Sequence, residues 1–188
     1  MKMRMSLALA AALAAALLSA CTTAAPLVVR TEPSYQDAAN NPLLQSSRDA
    51  ISKLVAGFDP STLGGGPVLV ATVVNVNDLG RSAPLGRTLS EQYGTQMVAS
   101  GFHVKEIKLR GDLFVKEGAG ELLLSREIKD IARSHNASMV LVGTYSAAAS
   151  VTYISLKLVR TEDGQIVRGH DYALPNDRDV QRLLQAQR

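Results

Sequence analysis

The stretch that most restricts the fold is VLVATVVNV at residues 68–76. It is a nearly continuous β-branched run, the pattern of a strand buried on both faces of its sheet. Such a strand needs cover above and below, which points to an α/β architecture. MVLVGTY at 139–145 is a second run of the same kind. Residues 102–109 read as a further strand. In it Phe102 and Val104 share one face while Ile107 and Leu109 fall on the other, so the change of phase predicts a bulge or a switch of buried face.

Helical signals separate these strands. Asn41-Pro42 joins a capping side chain to a proline at the first helical position. Leu43, Leu44, Ile51, Leu54 and Val55 then form an apolar stripe that Gly57 ends. Asp59-Pro60 and the GGGP at 64–67 make a loop. Ser82 and Pro84 open a second helix, with Leu85, Leu89, Tyr93 and Met97 recurring at i+4, and Ser100-Gly101 closes it. After the loop GDLFVKEGAG at 111–120 comes a third helix ending near Asn136, with Leu124, Ile128, Ile131 and Ala132 as its buried stripe. Its start is open between Glu121 and Ser125. Serine favours the capping position, which would leave 121–124 extended before the helix.

The C-terminal third reads as a hairpin. Residues 152–159 alternate, with Ile154, Leu156 and Leu158 on one face. Asp163-Gly164 is a two-residue turn that needs positive φ, and 165–172 is the return strand. Asn176 caps a short terminal helix carrying Val180, Leu183 and Leu184. The expected fold is therefore α/β: a single mixed-sheet sandwich running strand–helix–strand–helix–strand, followed by a β-hairpin and a terminal helix.

The chain of 188 residues holds one such domain plus flanking segments. Its start, MKMRMSLALAAALAAALLSA, has two cations (Lys2, Arg4), an apolar run and small residues at its end, the layout of an export signal. The run falls short of the about 20 residues that span a bilayer. Leu18-Ser19-Ala20-Cys21 resembles the bacterial lipobox, in which the cysteine is acylated and becomes the new N-terminus. Cys21 is the only cysteine, so no intrachain disulfide forms, and nothing around it tunes a nucleophilic thiol. A multiply acylated cysteine gives stable anchoring. Thr22 is not the aspartate that resembles an inner-membrane retention signal, so the expected location is the outer membrane of a Gram-negative bacterium, facing the periplasm. The domain plan is a signal peptide at 1–20, a lipidated flexible tether at 21–40 and the α/β domain at 41–188.

Losing Lys2 and Arg4 takes the 20 cations to 18, against 17 acids. The mature chain is near neutral, and aromatic residues make up only 4%, so no basic, aromatic-laced surface for nucleic acid is expected. The motifs for chemistry are incomplete. Gly118-Ala119-Gly120 precedes Glu121 and lacks both the third glycine of a dinucleotide fingerprint, where Leu123 stands, and the Gly-Lys-Ser/Thr of a P-loop. Glu121 would oppose a phosphate at a helix start. Residues 80–87, between a buried strand and a helix, sit where open α/β sheets bind ligands, and Arg81 and Arg87 suit an anion. A capped helix with solvated arginines is the favoured account of them, because no motif completes the site. His103, His135 and His170 have no metal-ligand spacing, and no Gly-x-Ser-x-Gly elbow occurs. Neither catalytic residues, metal nor cofactor is expected.

The pieces Gly120-Glu121-Leu122, Leu124-Ser125-Arg126-Glu127 and Val140-Leu141-Val142-Gly143-Thr144-Tyr145, with the preceding Glu106 and Lys108-Leu109-Arg110, resemble the FlgO family of flagellum-associated bacterial lipoproteins. The similarity extends over about residues 45–175, and Leu-Ser-Arg-Glu and Val-Gly-Thr-Tyr are its most specific parts. The resemblance implies a non-catalytic protein that supports flagellar assembly, stability or motility. It also implies an α/β fold like that of envelope adaptor lipoproteins and the N-terminal TolB domain. Expected partners are flagellar or other cell-envelope proteins, with room for an oligomer, and the membrane through the lipid on Cys21. The family supplies no active-site residues. Arg126, Glu127 and Arg110 are the candidate partner contacts. Two other readings stand beside this one: an envelope adaptor regulating a cell-wall synthase, and a periplasmic small-ligand binder using 80–87.

Overall fold

A computed structural model describes residues 32–63, 65–106, 114–117, 121–124 and 126–185. In chain order the helices are α1 (Tyr35–Ala39), α2 (Pro42–Leu54), α3 (Pro84–Ala99), α4 (Arg126–Ser134) and α5 (Arg178–Leu184). The strands are β1 (Val68–Val70), β2 (Val74–Asn75), β3 (Val104–Glu106), β4 (Phe114–Glu117), β5 (Glu121–Leu124), β6 (Met139–Ala147), β7 (Val151–Arg160) and β8 (Ile166–Pro175). A mixed six-stranded sheet runs β3-β1-β6-β7-β8, with β2 also on β6. β1 is parallel to β3 and β6, whereas β6, β7 and β8 are successively antiparallel. The mixed α/β sheet with its terminal helix is the architecture expected from sequence.

The run at 68–76 is buried on both faces as far as Val74 but is not one strand. Val70 lies opposite Leu141 and Val74 opposite Thr144, so the first strand carries one residue more than its partner, a bulge. The bulge exists because two serines take Val73 out of the ladder. Its N–H donates to Ser90 Oγ at 2.8 Å, and its carbonyl accepts from Ser82 Oγ at 2.7 Å. Ser90 in turn donates to Gly86 O. Glycines make the room: a Cβ on Gly143 would sit 2.9 Å from Leu156 and 3.0 Å from Val73, and one on Gly86 would sit 2.1 Å from Val73 O. Two of the glycines are therefore fixed by close approach rather than by backbone angle.

The two faces carry separate cores. On the main face Ile51 and Leu54 of α2, Leu85, Leu89, Tyr93 and Met97 of α3 and Val180 of α5 pack on Val68, Val70, Leu141, Ile154, Leu156 and Leu158. Tyr93 and Tyr172 share a short hydroxyl–hydroxyl hydrogen bond within it. Burial pushes the Tyr172 hydroxyl up to about 12, and burial first, then its neighbour, raises Tyr93 well above the ordinary tyrosine value. The smaller core on the other face joins Ala132 of α4 to Leu69, Val140, Val142 and Val159.

Several local expectations are corrected. Residues 114–117, read as loop, form β4, which pairs antiparallel with β5, Phe114 opposite Leu124. Leu124 thus belongs to a strand and not to a helical stripe, because cross-strand pairing overrides the helix propensity of three leucines. Helix α4 begins at Arg126, in keeping with the reading that left 121–124 extended. Ser82 does not cap α3. Ala83 holds that position without a side-chain bond, since the Ser82 hydroxyl is engaged by Val73. The hairpin connection is 161–165 rather than two residues. Gly164 takes φ +79° as expected, and Asp163 accepts from the Gln165 amide and from Arg160. Asp177, not Asn176, caps α5 by accepting from Val180 N–H at 2.8 Å. Asn176 instead accepts from Thr152 Oγ1 and donates to Ala148 O, tying the β6–β7 turn to the end of β8. In the stretch read as an unpatterned tether, α1 is a short helix whose Asp37 carboxylate accepts from the Ser34 amide and hydroxyl. The phase change at Ile107 and Leu109 lies outside the described residues, as do the glycines at 118–120 and Ser125.

Candidate functional site: an open sheet face

Alternation along the three antiparallel strands decides what each face carries. On β7, Ile154, Leu156 and Leu158 enter the main core, so Tyr153, Ser155 and Lys157 point to the other face. The register places Ser146 opposite Tyr153, Thr144 opposite Ser155, Ser155 opposite Asp171 and Tyr153 opposite Ala173. These residues form one continuous patch on the face that carries α4. Among the described residues, the apolar cluster on this face joins Ile131 and Ala132 of α4 to Val140, Val142 and Val159.

What remains is a groove of about 540 Å³, bordered by Val76 beyond β2. Tyr153 is 57% exposed and Val76 41%, large apolar groups that a covered sheet would bury. Three hydroxyls, from Thr144, Ser146 and Ser155, share the floor with the Asp171 carboxylate. Among the described residues, none of these side chains, nor the Tyr153 hydroxyl, makes a hydrogen bond or ion pair. Lys157 lies on the same face two residues beyond Ser155, with no ion pair to Asp171. Among the described residues the groove pairs apolar surface with solvent-facing hydroxyls and a single carboxylate. Among the described residues no base stands beside its hydroxyls: His170, next to Asp171, is on the opposite face, stacked on Tyr172.

The sequence-derived candidates are placed differently. Arg126 and Glu127 lie in the first turn of α4, away from the groove strands in sequence. Arg110 and Cys21 lie outside the described residues. At 80–87 a cleft of about 190 Å³ is lined by Asn75, Asp78, Arg81 and Tyr145 among others. Several donors around it already have partners. Arg81 faces Asp78 at 3.8 Å, Arg87 donates to Ser82 O at 3.0 Å, and the Ala83 amide at the helix start donates to Tyr145 Oη at 3.1 Å. Among the described residues no cluster of His, Cys, Asp and Glu is arranged to hold a metal ion, and no helix is long and apolar enough to cross a membrane. Sequence reasoning missed the groove residues. The available signal was Tyr153, an aromatic out of phase with Ile154, Leu156 and Leu158.

The Val-Gly-Thr-Tyr piece has a role in each position. Val142 builds the smaller core, Gly143 admits the bulged Val73, Thr144 opens onto the groove and Tyr145 satisfies the start of α3.

A model of the FlgO protein family matches residues 48–179, from within α2 to the first turn of α5. No curated protein sequence matches the chain. Among solved structures, the LpoB C-terminal domain from Salmonella enterica is similar at 16% identity and a TM-score of 0.50, covering 71% of this chain and 98% of that one. The LpoB C-terminal domain from Escherichia coli gives 17% identity, the same coverages and a TM-score of 0.47. A PelC dodecamer from Paraburkholderia phytofirmans gives 17% identity and a TM-score of 0.42, covering 59% of this chain and 71% of that one.

Proposed function

Because the chain belongs to the FlgO family, we propose that it is a non-catalytic outer-membrane lipoprotein that supports flagellar assembly, stability or motility through protein–protein contacts in the periplasm. The observation that carries this reading is the family match across the whole six-stranded sheet. The open face with its unsatisfied hydroxyls and carboxylate supports a binding role over a catalytic one. In this reading residues 1–20 are removed on export, Cys21 carries the lipid, 21–40 is the tether and 41–188 is the working domain.

The experiment is deletion of the gene in its own host. The expected result is impaired swimming with normal growth, restored by the wild-type gene. A strain that swims normally but shows cell-wall defects would overturn the flagellar reading and favour an adaptor of a cell-wall synthase. Lipidation has its own test: palmitate labelling is expected in the wild type and absent in Cys21→Ala, and a labelled mutant would contradict the anchor.

A further inference from the structure

We propose that the open sheet face binds a basic amphipathic helix of a partner protein, with a lysine or arginine of that helix placed on Asp171. This rests on the proposed protein-binding role and specifies its partner. Sheet faces in α/β folds are covered by helices, and here the main face carries three while α4 serves only part of the other. Among the described residues, the part left uncovered spans β6, β7 and β8. Strands lie about 4.8 Å apart, so the floor is about 10 Å across. That is the width of one helix with its side chains, about 10–12 Å. An added strand would instead lie along the edge of β8 and leave the floor uncovered.

The chemistry of the floor selects the helix. Tyr153, Val76 and Ala173 present apolar surface to the helix's apolar stripe. Among the described residues Asp171 is the one charged side chain lining the groove, with Lys157 on the same face beyond it, and covering the carboxylate without a counter-charge is costly. A cation at the edge of the stripe satisfies it through a charge-assisted hydrogen bond. The same carboxylate disfavours an acidic helix and an anionic lipid surface, so the occupant is protein.

The test uses the full-length lipoprotein in its host, with a photo-crosslinking phenylalanine analogue in place of Tyr153 and, as control, in place of Val98, an exposed residue on α3. Crosslinked peptides are identified by mass spectrometry. The expected product at position 153 maps to a helical segment with a lysine or arginine within one turn of the crosslink. Its yield should fall about tenfold in Asp171→Lys and less in Asp171→Asn, with circular dichroism unchanged in both variants. A product mapping to an acidic helix, an extended segment, a lipid or a second copy of this chain would overturn the proposal. So would a yield that Asp171→Lys leaves unchanged. Products at position 98 but none at 153 would sink this proposal while leaving the proposed protein-binding role intact. No protein crosslink at either position, or at others scanned over the surface, would count against both.

Discussion

Leu156 and Tyr153 lie three residues apart on β7, and their surroundings are opposite. Leu156 is enclosed on the main face by helices from three parts of the chain. Tyr153 points the other way, onto three strands that no helix of the described structure covers. One face is a closed core of packed apolar side chains. The other, among the described residues, leaves hydroxyls and a carboxylate open to solvent. A strand's alternation separates the side that makes the fold from the side that meets something else.

That contrast can be broken most strongly at Leu156. Leu156→Ala should cost about 2–5 kcal/mol in chemical denaturation, the range for an aliphatic core truncation. Tyr153→Ala, on the same strand, should shift stability by no more than about 0.5 kcal/mol. Equal losses at both would show that the open face is structural. Gly143→Ala should be next, at about 1–3 kcal/mol, because the new methyl meets Leu156 and Val73 with no room to move far. Ser90→Ala should cost a similar or smaller amount, about 1–3 kcal/mol, by leaving the buried Val73 N–H without an acceptor. A neutral Ser90→Ala would mean that the bulge does not depend on that bond.

The smallest effect is a pH dependence confined to the main face. The Tyr172 hydroxyl is raised to about 12 from 10.0, so the folded state holds its proton more tightly than the unfolded chain. Its stabilising contribution is complete below about pH 10 and is lost as pH rises toward 12. The stability difference between the wild type and Tyr172→Phe should therefore narrow over that window. A difference independent of pH would contradict the burial of this hydroxyl.

Much of the main face was legible in the sequence because burial on both sides leaves a local pattern. The run at 68–76, the i+4 stripe of α3 and the alternation on β7 each report their own environment. The departures come from partners distant in sequence. The bulge at Val73 needs Ser82 and Ser90 from another element, and Asn176 loses the cap to Asp177 because Thr152 and Ala148 engage its side chain. The β4–β5 hairpin was hidden behind three leucines that favour helix as readily as strand. The groove was the least legible part, since it is defined by where α4 stops. The family pieces were recognisable before their roles were: Gly143, Thr144 and Tyr145 serve the bulge, the open face and the start of α3.

The central claim is that the open face does the work while the covered face holds the fold. The most direct measurement is swimming of a deletion strain complemented with Tyr153→Lys plus Asp171→Lys, at a protein level matched to wild type by immunoblot. The account predicts normal abundance and thermal stability with swimming not restored. Wild-type swimming from that double variant would contradict it.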